Sequence, residues 1–142
     1  MTKQAYKGIV FDLFGTLALW HPDRLPTFEW QGKTQPSTMG ELRHTVAELV
    51  TEVPFETFYE TFMRLNEELL VEKSDGKEIP SHQRFLRTLR RLDYPDSSET
   101  AAIAEKLSLT HMDLLASAVE IPQHYAPFLA ELAKQYLSLI HI

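Results

Sequence analysis

The 142-residue chain contains no cysteine. Disulfides, thiolate nucleophiles and thiolate metal sites are therefore excluded, and the composition suits a reducing compartment such as the cytoplasm. Basic residues are in short supply, with 14 Lys and Arg against 20 Asp and Glu, a formal net charge of −6. Nucleic acid is thereby disfavoured as the main partner, because phosphate backbones are held by clustered Lys and Arg. No apolar run is long enough to cross a bilayer, and Met1-Thr2-Lys3-Gln4 opens without the apolar stretch of a signal peptide. Internal repeats and low-complexity segments are absent too. What is present is a 44% share of hydrophobic residues, enough for one modest globular domain.

The stretch that organises the chain is Lys7-Gly8-Ile9-Val10-Phe11-Asp12-Leu13-Phe14-Gly15-Thr16-Leu17. Gly8 to Phe11 is apolar, β-branched and bounded by turn signals, the pattern of a strand buried on both faces. A carboxylate at its end, Asp12, would be costly to bury unless paired or bound to a metal. Gly15 permits a sharp turn, and Thr16 adds a hydroxyl beside it. Ligands of open α/β sheets sit beyond the carboxyl ends of the strands, so Asp12 stands where a nucleophile or metal ligand belongs. The plainer alternative is a core strand whose last residue hydrogen-bonds the following turn.

Residues 18–24 read as loop. Pro26-Thr27-Phe28-Glu29-Trp30 and Lys33-Thr34-Gln35-Pro36 flank Gln31-Gly32 and predict a hairpin whose Phe28 and Trp30 face covers something. Thr38-Met39-Gly40-Glu41 fits a capping box, followed by the stripe Leu42, Val46, Leu49 and Val50. Pro54 suits the start of a second helix bearing Phe55, Phe58, Tyr59, Phe62, Leu65, Leu69 and Leu70. Ser74-Asp75-Gly76-Lys77 breaks it. Ser81 is expected to cap a third helix with Phe85, Leu86, Leu89 and Leu92 on one side and Arg84, Arg87, Arg90 and Arg91 on the other. A fourth helical stretch runs from about Ser98 to Val119, in one or two pieces. After Ile121-Pro122, a last helix spans about Gln123 to Gln135.

In Phe11-Asp12-Leu13-Phe14-Gly15-Thr16-Leu17 the chain resembles the haloacid dehalogenase superfamily of hydrolases, which opens with an apolar strand ending in Asp-x-x-Gly-Thr. The resemblance implies an α/β fold, a Rossmannoid core of which only the first strand and a flap hairpin are present (residues 1–38). A helical cap would follow (39–119), then a helix returning to the core (120–136), so this stretch is itself mostly α-helical. The hairpin would be the flap over the catalytic cleft. The last six residues, Leu137-Ser138-Leu139-Ile140-His141-Ile142, coincide with the translation of the transposase sequencing adapter CTGTCTCTTATACACATC. That origin is preferred over a genuine second strand, because the family's second strand ends in Ser or Thr followed by Asn. A stretch carrying the first motif alone is expected to be catalytically silent.

The resemblance assigns Asp12 as covalent nucleophile. It places magnesium between Asp12, the Phe14 backbone carbonyl and substrate oxygens, and gives phosphate contacts to the backbone around Gly15 and Thr16. The substrate would be a small molecule, a phosphorylated metabolite or a haloacid. Family phosphatases carry a second Asp, the general acid, where this chain has Phe14. The dehalogenase branch lacks that Asp, so Phe14 leans towards it, yet Arg43 does not reproduce that branch's carboxylate-binding setting. His21 reads as an exposed loop residue, and His82, His111 and His124 as surface or satisfied polar groups without metal spacing. The Arg84 to Arg91 cluster reads as a solvated helix face. A non-catalytic helical interaction module is the reading from another class.

Overall fold

Helical periodicity governs most of the chain, and the computed structural model, which describes residues 8–72, 78–135 and 137–138, is mixed α/β and mostly helical. In order, the elements are β1 (Gly8–Ile9), β2 (Leu19–Trp20), a 3-10 turn at Pro22–Arg24, β3 (Thr27–Trp30), β4 (Lys33–Pro36), α1 (Met39–Leu49), α2 (Phe55–Glu72), α3 (Ser81–Arg91), α4 (Ser98–Ser117), β5 (Val119–Glu120), α5 (Tyr125–Gln135) and β6 (Leu137–Ser138). They fall into two compact units, residues 23–117 and residues 8–22 with 118–138.

The unit of residues 23–117 is built around aromatic rings. Phe58, Phe62 and Phe85 stack, with centroids 5.0 Å apart for Phe62 and Phe85, and Leu42, Val46, Leu89 and Leu107 close the core around them. The stripe on α2 is therefore a core face between packed helices, except at Leu70, which falls outside the packed face and is exposed. On α4 the inward positions are small or polar, Thr100, Ala104 and Ser108 beside Leu107. Thr88, fully buried on α3, returns its hydroxyl to the Arg84 carbonyl at 2.9 Å. The fourth helix is a single piece. Beyond α3, Asp93 takes φ +63°, and the Tyr94 and Asp93 amides reach back to the Leu89 and Arg90 carbonyls. This is a Schellman termination, with Pro95 preventing any continuation.

The hairpin forms where the sequence places it. Gln31 (φ +48°) and Gly32 (φ +75°) make the turn, and Trp30 pairs with Lys33. Although the sequence groups it with the first strand, its inner face packs on α2: Phe28 lies 5.0 Å and Trp30 4.7 Å from Tyr59, ring to ring. What Phe28 and Trp30 cover is thus the helical core. Gly40 allows α1 to approach this hairpin, since a Cβ there would stand 2.8 Å from the Thr27 carbonyl oxygen.

Two helix caps differ from expectation. Thr38 is already helical (φ −61°, ψ −21°) and makes no side-chain cap bond; the Ser37 hydroxyl accepts from the Met39 amide at 3.2 Å instead. Freed from capping, the buried Thr38 hydroxyl lies 2.9 Å from His111 Nδ1 on α4, tying the first and fourth helices. Ser81 is the first residue within α3, with Pro80 at the cap position and no side-chain cap bond. Ser74 to Lys77, the expected break, lies outside the described residues.

In the other unit β1 is shorter and more exposed than a strand buried on both faces. Gly8 and Ile9 alone are extended, and Val10 is 81% exposed. Its neighbour among the described residues is β6, parallel and in register Gly8↔Leu137 and Ile9↔Ser138. Among the described residues β1 has this one strand neighbour, and Ile9 and Phe11 are only partly buried. The pairing is what the strand reading of the tail calls for; residues 139–142 lie outside the described residues. The segment read as loop contains β2, which pairs antiparallel with β5, and the His21 amide bonds the Ala118 carbonyl at 2.7 Å.

Two outcomes follow from this packing. Replacing a helical Gly by Ala ordinarily gains up to about 1 kcal/mol, but Gly40→Ala should instead lower stability, because the methyl meets backbone oxygen; urea midpoints of the two proteins check this. Burial and the neighbouring Arg84 guanidinium push the His111 pKa down to about 4 from its ordinary 6.5. The unfolded chain then binds a proton that the folded one does not, so stability is full above about pH 6.5 and lost as pH falls towards 4. We expect a loss on the order of 2 kcal/mol, absent in His111→Asn, measured as the difference in unfolding free energy between pH 7 and pH 4.5.

Candidate active site

Asp12 is separated from β1 by Val10 and Phe11 and lies at the mouth of a closed turn. The Leu13 carbonyl accepts from the amides of Leu17 (2.9 Å) and Ala18 (2.8 Å), and the Ala18 carbonyl accepts from the Gly15 amide at 2.8 Å. Gly15 takes φ +79°, which L side chains rarely adopt, and no atom lies within 4 Å of where its Cβ would be. The turn thus owes its shape to its own backbone. Ala18, buried at its end, anchors it.

The Asp12 carboxylate is exposed, and Oδ1 accepts from the Leu13 amide at 2.9 Å. That bond is the one the plainer reading of Asp12 anticipates. The turn's own hydrogen bonds engage the amides of Leu13, Gly15, Leu17 and Ala18. Those of Phe14 and Thr16 stand outside that network. Asp12, the Phe14 carbonyl, Gly15 and exposed Thr16 therefore share one five-residue loop, and Phe14 turns 59% of its surface to solvent.

Hard oxygen donors such as Asp12 and the Phe14 carbonyl suit magnesium in kind. In number they do not: among the described residues no three His, Cys, Asp or Glu side chains come together to hold a metal ion. The described residues alone do not make a magnesium site.

The other candidates are separately engaged. His21 Nε2 lies 3.3 Å from Glu120 Oε2, an ion-pair distance once the imidazole is protonated though not hydrogen-bond geometry. Nothing in the spacing of residues 99 apart signals this pairing; it is created by β2 meeting β5. The Arg43 guanidinium lies over the Phe55 ring at 5.6 Å. Arg91 holds Glu68 through both guanidinium nitrogens and Arg90 holds Asp96. These exposed pairs fit a solvated helix face, although Arg87, Arg90 and Arg91 also rim an open cavity of about 410 Å³ floored by Leu65 and Leu69. His111 is a satisfied polar group, bonded to Thr38 and set edge-on to Phe85 at 5.7 Å. His124 stacks edge-on with Tyr125, and His82 is exposed.

Comparison of the chain with protein-family models, with characterised proteins and with solved structures returns no match. No described helix is long and apolar enough to cross a membrane.

Gly15 offers a test of the turn independent of activity. Gly15→Ala forces a methyl-bearing residue into a left-handed conformation, a cost of about 1–2 kcal/mol despite the open space around it. The amides of Leu17 and Ala18 should then exchange with solvent roughly tenfold faster, while those of the helical unit keep their rates, as read by hydrogen exchange.

Proposed function

We propose that this chain carries the nucleophile loop of a hydrolase of the haloacid dehalogenase type, acting on a small phosphorylated molecule through Asp12. The observation that carries the reading is the exposed Asp12 carboxylate three residues beyond the last residue of a strand in a parallel pair, followed by a turn whose Gly15 holds φ +79°. The helical residues between β1 and β6 then correspond to a cap and a helix returning to a Rossmannoid core. Magnesium, with Asp12 and the Phe14 carbonyl among its ligands, would neutralise charge between nucleophile and phosphate.

An ionised carboxylate suits the chemistry because it is nucleophilic at neutral pH and its mixed anhydride is labile. An Asp12 oxygen attacks phosphorus, the bond to the leaving oxygen breaks, and the electron pair leaves with that oxygen. Water then attacks the aspartyl-phosphate, phosphate departs, and the carboxylate is restored. Phosphate oxygens beside Asp12 would meet the Phe14 and Thr16 amides, which the turn's own network does not use.

Two other readings rest on particular residues. Hydrocarbon at Phe14 suits a 2-haloacid dehalogenase, in which the same carboxylate displaces halide from carbon. Exposed Leu70 and Val71 late in α2 suit a non-catalytic interaction module. Protein expressed from its genomic reading frame and assayed with magnesium should hydrolyse phosphate esters, and Asp12→Asn should lower turnover by at least about 10²-fold. Turnover of 2-haloacids alone would establish the dehalogenase. Activity that survives Asp12→Asn would remove Asp12 as a nucleophile, and no activity on either class would leave the module.

A further inference from the structure

We infer that the helical unit binds a small organic acid, with Arg84 meeting the carboxylate and Met63, Leu69 and Leu70 receiving a compact apolar body. Nothing in this depends on the role of Asp12. Arg84 differs from Arg90 and Arg91 further along α3. Those two are exposed and held by Asp96 and Glu68. Arg84 is half-buried, and its Nε is shut off from water with no hydrogen-bond partner among the described residues. After burial itself, the Arg84 charge is what keeps the His111 imidazole neutral, so the guanidinium acts on the interior of the unit. A cation drawn out of water in this way ordinarily has a carboxylate or a full set of acceptors beside it.

Arg84 lines a cavity of about 200 Å³ between α2 and α3, whose other walls are Met63, Asn66, Glu67, Leu69 and Leu70. Leu69 is buried, while Met63 and Leu70 are 40% and 70% exposed, large apolar side chains left open beside a charged one. Apolar walls with a few polar groups converging on them are what small-molecule sites are made of. The volume is that of about seven liquid waters, which suits a short-chain or aromatic acid and is too small for a nucleotide. Charge and shape choose among anions. A guanidinium matches a carboxylate as a fork matches its partner, and the Asn66 amide can donate beside it. A phosphate dianion would lose far more hydration against these walls and gain one guanidinium in return. Glu67 brings one negative charge to the same cavity, so a ligand there competes with it for Arg84.

The test titrates the full chain with benzoate and hexanoate, with their uncharged counterparts benzyl alcohol and hexan-1-ol, and with inorganic phosphate. Binding is read from the Met63 methyl resonance by NMR at about pH 7, where the acids are ionised. At least one acid should bind with a dissociation constant in the millimolar range, at least about tenfold more tightly than its alcohol or phosphate. Arg84→Gln should weaken that acid at least about tenfold. Glu67→Gln removes the competing carboxylate and should tighten it about threefold. An alcohol or phosphate that binds as well as the acids would overturn the inference, as would affinity that survives Arg84→Gln or no saturable shift with either acid. Should Arg84→Gln fail to fold, the exposed Glu67→Gln decides: tighter binding supports the site, and unchanged or weaker binding overturns it.

Discussion

The helical unit depends on the stack of Phe58, Phe62 and Phe85. Two of these rings belong to α2 and one to α3, so their stacking joins those helices directly. Each such ring removes on the order of 150–250 Å² from water and gains further from its ring partners. Everything else in the unit adapts to that volume. On α4 the seam is cut down to Thr100, Ala104 and Ser108, which suits close approach, and α1 supplies Leu42 and Val46. The hairpin adds a second aromatic layer, Phe28 and Trp30 against Tyr59, at the α2 end that Phe55 begins. Burial raises the Tyr59 pKa above its ordinary phenol value, as expected for a hydroxyl drawn partly out of water.

Much of this was legible because the signals are local. Apolar spacing of three and four residues marks α1 to α3, Pro54 and Pro122 interrupt where the helices do, and Gln31-Gly32 fixes the hairpin turn. The caps were harder. Thr38 and Ser81 have the right residue type for an N-cap, but that choice depends on what else competes for the hydroxyl. For Thr38 the competitor is His111, which sequence spacing cannot bring near. Likewise β2 and β5 are two residues each, too short for any alternation to register, and they form because the chain brings distant segments side by side. The destination of the hairpin's aromatic face was open for the same reason, since alternation shows that a face is covered but not by what.

At the candidate site the local geometry was the readable part. Gly15 takes the left-handed conformation that a sharp turn there uses, while Asp12 stands three residues beyond β1. The expected burial of Gly8 to Phe11 failed because burial is a property of neighbours. An apolar, β-branched run states what the strand needs, and among the described residues a two-stranded parallel sheet with one partner does not provide it. Val10, extensively exposed, measures the shortfall.

Electrostatics sets the sharpest demand on the Asp12 loop. A phosphate dianion approaching a carboxylate meets a repulsion of about 1 kcal/mol per charge pair at 4 Å in water, rising to about 4 kcal/mol as the site dries. Within residues 10–20 there is no Lys, Arg or His to offset this, and the chain as a whole carries a formal −6. The Phe14 and Thr16 amides supply dipoles, which stabilise phosphate oxygens without cancelling a full charge. Attack by Asp12 on a dianion therefore requires a cation from outside the loop, whether a metal ion or a basic side chain brought to it. Displacement of halide from a haloacid meets a weaker version of the same repulsion, because the substrate carries a single charge, remote from the attacked carbon. The two chemistries thus ask different things of the surroundings of one carboxylate, and it is the placement of positive charge, more than the nucleophile, that separates them.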